Sequence, residues 1–164
     1  YFDRFVELVL DAEGAPTNDP VDPGKETVFG IAHAYHPGIP WPPTRVQAIQ
    51  IYRHDYWSPV HGDELPPGLA LVIFDTSVVQ GVVFAISALQ AALRVEPDGV
   101  VGPNTLAAAR HSTWRTVHAV TAARMKEFER QVRVYPFKTK WADGWRNRAL
   151  AIYRQAVLLE GRTA

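Results

Sequence analysis

Apolar residues recur with helical spacing along most of this 164-residue chain, and Gly, Pro and short polar side chains mark the breaks between stripes. Phe2, Phe5, Val6 and Val9 fall at i, i+3, i+4 and i+7, and one more turn of that stripe arrives at Glu13. Gly14 and Pro16 stop the helix, which puts Glu13 at its last turn, half facing apolar neighbours. Thr44 is placed to N-cap a helix running to about Trp57, with Val46, Ile49, Tyr52, Arg53 and Tyr56 along related faces. Leu69 to Gln80 is apolar nearly all round, the mark of a central helix. From Val82 the stripe Val83, Ile86, Leu89, Gln90 and Leu93 predicts another helix, ended by the turn Pro97-Asp98-Gly99, and Gly102-Pro103 starts a short one. Ser112 or Thr113 caps a long helix to about Val134, with Val117, Val120, Arg124, Phe128 and Val132 turned inward. The last predicted helix is capped by Asp143, carries Trp145, Ala149, Ile152, Tyr153, Ala156 and Leu159 as its stripe, and stops at Gly161. A β signal is confined to the short run Thr27-Val28-Phe29-Gly30-Ile31. The predicted fold is therefore mainly α with a small β-prone segment.

Composition narrows this picture. Hydrophobic residues at 47% and charged residues at 21% describe an ordinary folded chain, long enough for one domain with a real core. No apolar run reaches 18 residues, so no stable membrane insertion is expected in this segment, and Tyr at position 1 leaves room for a removed leader or anchor. With no Cys there is neither a disulfide framework nor a thiol nucleophile. The net charge of zero hides an asymmetry: residues 1–109 hold 5 cations against 13 acids, and residues 110–164 hold 12 against 4. The basic half either attracts an anionic polymer such as cell wall, membrane surface or nucleic acid, or balances the acidic half.

Candidate chemistry concentrates in residues 13–31. Glu13 sits where burial and the negative helix C-terminus favour a carboxyl that keeps its proton, as a general acid requires. Asn18-Asp19-Pro20 and Asp22-Pro23-Gly24 are turn-forming clusters that fold the following loop back. Asp22 is the candidate second carboxylate, and Thr27 brings a hydroxyl at the start of the β-prone run. Acid, carboxylate and hydroxyl in one helix-loop-strand unit suit glycosidic chemistry, but on spacing alone a helix end followed by an Asx-rich turn is the favoured account.

At these residues the chain resembles the phage-type endolysins of glycoside hydrolase family 108, the N-acetylmuramidases. The likeness rests on the helix ending in Glu13-Gly14, the Asn18-Asp19-Pro20 and Asp22-Pro23-Gly24 loop, and the Thr27-x-x-Gly30-Ile31 exit. It continues in Ile51-Tyr52-Arg53-His54-Asp55-Tyr56-Trp57 and Phe74-Asp75. The chain departs from the family pattern at Ala15, Pro16 and Lys25, and at Val79, where relatives carry Asn. From Leu89-Gln90 through Asp98-Gly99 to Gly102-Pro103-Asn104-Thr105-Leu106 the chain is similar to peptidoglycan-binding helical modules. The resemblance implies a lysozyme-like single domain over 1–164, with the catalytic acid and core helices in 1–85 and a peptidoglycan-binding-like helical part in 86–164. It implies cleavage of the β-1,4 bond between N-acetylmuramic acid and N-acetylglucosamine, with Glu13 as acid and Asp22 and Thr27 handling water. A carboxyl separation of roughly 6.5–9.5 Å corresponds to inversion and one near 5 Å to retention.

Other expectations follow from single residues. Trp41, in the Pro-rich stretch His33 to Pro43, is either a packing plug or a sugar-stacking platform. Asp75 is either a paired structural anchor or a cleft residue, and Gln80, Gln90 and Asp98 join it as candidate substrate contacts. The six His and the Asp19-Asp22-Glu26 spacing match no metal motif, and phosphate-loop, dinucleotide and nucleophile-elbow motifs are lacking; no metal or other cofactor is expected. The partner expected is the peptidoglycan glycan strand, met by a monomer in the bacterial periplasm or cell wall, without nucleic acid. Two rival readings are a lytic transglycosylase, which needs one acid only, and a non-catalytic wall-binding module of a phage or secretion assembly.

Overall fold

The computed structural model describes residues 1–13, 17–18 and 26–160, with the side chains of Thr17, Asn18 and Glu26 left aside. The chain forms two compact units, Tyr1–Asp55 and Tyr56–Ala164. Both are built mainly from α-helices.

In the first unit, helix α1 (Phe2–Glu13) buries Phe2, Phe5, Val6, Val9 and Leu10, the stripe read from the sequence with one added member. Strands β1 (Thr17–Asn18), β2 (Glu26–Val28) and β3 (Ile31–Ala32) form an antiparallel sheet in the order β1-β2-β3. The predicted β-prone run is thus a hairpin rather than one strand. Val28 pairs with Ile31, and the two-residue turn between them holds Phe29 at φ 54° and Gly30 at φ 72°. Two consecutive positive φ values are what a tight hairpin with right-handed twist demands. A 3₁₀ turn, His33–Tyr35, precedes helix α2 (Arg45–Tyr52). Thr44 and Gln47 form the predicted N-terminal cap reciprocally, each side chain reaching the other's backbone. The buried face of α2 is Ala48, Ile51 and Tyr52; Val46, expected on that face, is 66% exposed. The helix then widens into a π-helical turn, Arg53–Trp57. Arg53 packs over the Phe2 ring at 4.1 Å, and Arg45 pairs with Glu7, tying α2 and its extension to α1.

The second unit is a helical bundle: α3 (Pro67–Gln80), α4 (Val82–Leu93), α5 (Pro103–Ala109), α6 (Trp114–Val134) and α7 (Thr139–Glu160). Helix α3 is the predicted central helix. Its residues 68–77 are all buried, and it packs against α4, α6 and α7. On α4, Ala85, Ile86, Ala88, Leu89 and Gln90 face inward, whereas Val83 stands 74% exposed. An internal boundary at residue 85 would cut through this helix. Thr113 caps α6. Asp143 does not cap α7: the helix already begins at Thr139, Asp143 lies inside it, and its carboxylate meets Arg146 at 3.2 Å. The expected stop at Gly161 lies outside the described residues.

The far end of α7 supplies a titrating contact. Glu160 accepts the backbone N–H of Leu69 at 3.1 Å, and burial pushes its carboxyl above the ordinary value, with the Leu69 and Gly68 N–H groups opposing. A raised carboxyl stabilises the fold fully below the ordinary carboxylate range, and that contribution is lost as pH rises through the raised value. The melting temperature of Glu160→Gln should accordingly fall less than that of the native chain when pH is raised across this window.

Candidate active site

Glu13 ends α1 half-buried, as the periodicity predicts. Its carboxylate is framed by two groups that the sequence did not single out for this role. A Cβ on Gly30 would lie 2.5 Å from Glu13 Oε2 and 2.5 Å from the Tyr52 hydroxyl oxygen, so the hairpin turn, the acid and the phenol converge on one point. The Tyr52 hydroxyl donates to the Phe29 carbonyl at 2.9 Å, anchoring the turn from the side of α2. Tyr52 itself is 1% exposed, so its ring packs in the core while its hydroxyl reaches the turn. The signal that could have found this arrangement was Gly30: a glycine directly after a β-prone Phe marks either a positive φ or a close approach, and here it is both.

This geometry makes a quantitative expectation for Gly30→Ala. The new methyl group meets the carboxylate and the phenol, and alanine at φ 72° is strained. The backbone term alone costs about 1–3 kcal/mol. Moving an acid by about 1 Å costs on the order of 10²-fold in rate. On the reading of Glu13 as the general acid, turnover by the variant should drop by about that factor, beyond any change in melting temperature.

Thr27, half-buried in β2, pairs through its backbone with Thr17 and Ala32. Asp22 lies outside the described residues. Trp41 is half-buried, and one face of its ring is covered by His33, at 4.5 Å between ring centroids and 19° between planes. That stacking is the packing-plug arrangement for that face. A cleft of about 450 Å³ opens between the loop at His36 to Pro40 and α2 with its π-helical extension, where Gln47, Gln50, Ile51, His54 and Asp55 line it. Asp55 stands between two imidazoles there, 2.5 Å from His54 Nδ1 and 3.9 Å from His36 Nδ1. None of these cleft residues was picked out as a site from the sequence, because they come from a loop and a helix face with no motif spacing.

The four candidate contacts of the second unit are all engaged internally. Asp75 is completely buried between Arg124, 2.6 Å away on α6, and Arg148, 2.8 Å away on α7. This is the geometry of the paired structural anchor. Gln80 clamps the same arginine, accepting from Arg124 Nε and donating to the Arg124 carbonyl, both at 3.1 Å. Burial lowers the Arg124 guanidinium from its ordinary value, and the Asp75 charge opposes the shift. Gln90, 1% exposed, donates to Asp98 Oδ1, the Val100 carbonyl and Thr105, and accepts from the Gly99 N–H. Its amide is consumed in fixing the Pro97-Asp98-Gly99 turn. Asp98 also accepts the Val100 N–H, and that bond and the Gln90 amide hold its carboxyl below the ordinary range. The polar atoms of Gln80 and Gln90 are partnered inside the bundle.

Comparison with known proteins now bears on this arrangement. Residues 6–81 match the family model of glycosyl hydrolase 108, a span that contains the end of α1, the hairpin and Tyr52. Over these residues the chain is similar to glycosyl hydrolase family 108. A solved structure, that of Brucella abortus SagA, is similar over 97% of this chain and 95% of its own, with a TM-score of 0.83 and 28% sequence identity. No curated protein matches the chain. The mainly helical architecture with a small sheet is therefore shared along nearly the full length, although the family match itself stops at the end of α3. Among the described residues no group of His, Cys, Asp or Glu is arranged to hold a metal ion, and no helix is long and apolar enough to cross a membrane.

Proposed function

We propose that this chain is a family 108 glycoside hydrolase, a lysozyme-type peptidoglycan hydrolase that cleaves the β-1,4 bond between N-acetylmuramic acid and N-acetylglucosamine at the cell wall. The observation that carries the reading is the Glu13 carboxyl at the end of α1, pressed against the Phe29-Gly30 turn and the Tyr52 hydroxyl inside the family-matched segment. In this mechanism Glu13 gives its proton to the glycosidic oxygen as the bond from that oxygen to the anomeric carbon breaks, and positive charge develops on the sugar ring. Asp22 supports that charge and takes the proton of the water that attacks the anomeric carbon, and Thr27 orients this water. The balance is one water consumed, one new reducing end and one new hydroxyl, with Glu13 reprotonated from solvent.

The test is digestion of purified sacculi followed by mass spectrometry of the released muropeptides. Reducing muramic acid ends are the expected product. Anhydromuramic ends would replace the reading with a transglycosylase, and reducing glucosamine ends would move the cut to the other glycosidic bond. Sacculi that retain the protein but stay intact would make it a wall-binding module.

A further inference from the structure

The turn that joins α6 to α7 carries a surface that the proposed hydrolysis does not use. It begins inside the bundle, where the ring of buried Phe128 stacks on Trp145 at 5.4 Å, and continues outward through Trp141, Phe137 and Tyr135 at successive centroid distances of 6.2 Å. The outer members are exposed: Val134 is 49% exposed, Tyr135 46% and Phe137 56%. Large apolar side chains held open to water on a rigid aromatic stem point to an interaction surface. Cations surround them. Residues 130–142 contain Arg130, Arg133, Lys138 and Lys140 and no carboxylate at all. The Lys138 ammonium is held 4.9 Å above the Tyr135 ring by the Gln131 amide oxygen, and the Lys140 ammonium lies 4.2 Å from the Trp141 ring. The flanking acids are Glu129, exposed at the α6 end of the stretch, and Glu127 and Asp143, which are engaged with Arg130 and Arg146.

Two partner chemistries would accept aromatic rings among cations: a glycan laid on the rings, or an anionic lipid surface. Ring orientation decides between them. A pyranose stacks on a flat, open aromatic face, but Phe137 meets Tyr135 at 62° and Trp141 at 81°, so the exposed rings present edges at steep angles to one another. Apolar edges that penetrate and ammonium groups that stay at the level of the headgroups are the pattern of a peripheral membrane contact. We propose that the α6–α7 tip docks on an anionic phospholipid bilayer, with Val134, Tyr135 and Phe137 entering the interface and Arg133, Lys138 and Lys140 facing lipid phosphates. The contact is peripheral and reversible, and it is independent of whether Glu13 is the catalytic acid.

The experiment is flotation of the full chain with large vesicles of phosphatidylcholine and of phosphatidylcholine mixed with phosphatidylglycerol. The protein should float with the anionic vesicles at low salt, float weakly at high salt, and stay behind with the neutral ones. Lys138→Glu with Lys140→Glu should weaken flotation by at least about tenfold, since each cation contributes a factor of roughly five. Tyr135→Ser with Phe137→Ser should weaken it comparably while the melting temperature stays within a few degrees, because both rings are exposed. Lys138→Arg with Lys140→Arg should bind like the native chain. Absence of native flotation, or unchanged flotation of both disruptive pairs, overturns the proposal. So does release of the protein from lipid-free sacculi by the same pairs, which would make the tip a wall-binding surface.

Discussion

Replacement of Glu13 by Gln should lower sacculus hydrolysis by about 10²- to 10⁴-fold, the range that a positioned general acid supplies. The alkoxide that leaves a glycosidic bond is a poor leaving group, so the proton must arrive as the bond breaks, and the amide has none to give at that oxygen. The substitution is isosteric. It keeps the volume beside Gly30 and Tyr52, where a Cβ at Gly30 would already lie 2.5 Å from the carboxylate. Folding should therefore survive, with a stability change within about 1 kcal/mol. Rate is measured by release of reducing ends and folding by circular dichroism on the same preparation. Full activity in a folded variant would mean that the proton comes from another group, and the assignment of α1's last residue would fall. A companion, Tyr52→Phe, separates position from proton supply. It removes the 2.9 Å bond to the Phe29 carbonyl but leaves the acid, so it should cost less activity than the glutamine.

How far the sequence revealed this architecture depends on whether the deciding contact was local. The stripe of helix α1 was legible, because it lies within a dozen residues, and Phe2, Phe5, Val6 and Val9 are all buried, while the predicted stop at Gly14 and Pro16 lies outside the described residues. The Thr44 cap was legible for the same reason, as an interaction across three residues. The hairpin was not, since Phe is an uncommon residue at positive φ and the turn has no Asn-Gly or Asp-Gly pair to announce it. What holds Phe29 there is the Tyr52 hydroxyl, 23 positions away, a partner no local pattern can name. The start of α7 fails in a related way. Asp143 looks like a cap from its neighbours alone, but Trp141 and Trp145 stack at helical spacing and Thr139 Oγ1 donates to the Pro136 carbonyl, so the helix is secured one turn earlier. The same distance limit governs the candidate site. Glu13 could be placed from its stripe, whereas the occupation of Gln80 and Gln90 by partners on other elements became visible only in three dimensions.

The buried charge at the centre of the second unit should be the costliest position to empty. Asp75→Ala leaves Arg124, which is completely buried, and Arg148, which is 12% exposed, without the carboxylate that lies 2.6 and 2.8 Å from them. Breaking a buried pair in this way costs about 3–5 kcal/mol, because an uncompensated charge is left in a low-dielectric interior. Against a total stability of about 5–15 kcal/mol that is a large fraction, and with roughly 2–4 °C per kcal/mol at this chain length the melting temperature should drop by on the order of 10 °C. The alternative view is that the triad itself is a strong net stabiliser, and a second variant distinguishes the two. Replacing Asp75, Arg124 and Arg148 together by apolar residues of similar volume removes the Coulombic attraction and the desolvation cost at once, and such exchanges are often neutral or stabilising. If the triple variant melts near the native chain while Asp75→Ala melts far below it, the loss comes from stranding two guanidinium groups. If both fall equally, the ion triad contributes its own net free energy, and three helices owe their cohesion to charge as much as to the apolar face of α3. Arg124 Nε also donates to Gln80 Oε1, so the triple variant leaves that oxygen without its donor while the Gln80 amide nitrogen keeps its bond to the backbone carbonyl of residue 124. Adding Gln80→Leu to the set should recover about 1–3 kcal/mol of any residual deficit, the cost of one unsatisfied polar group.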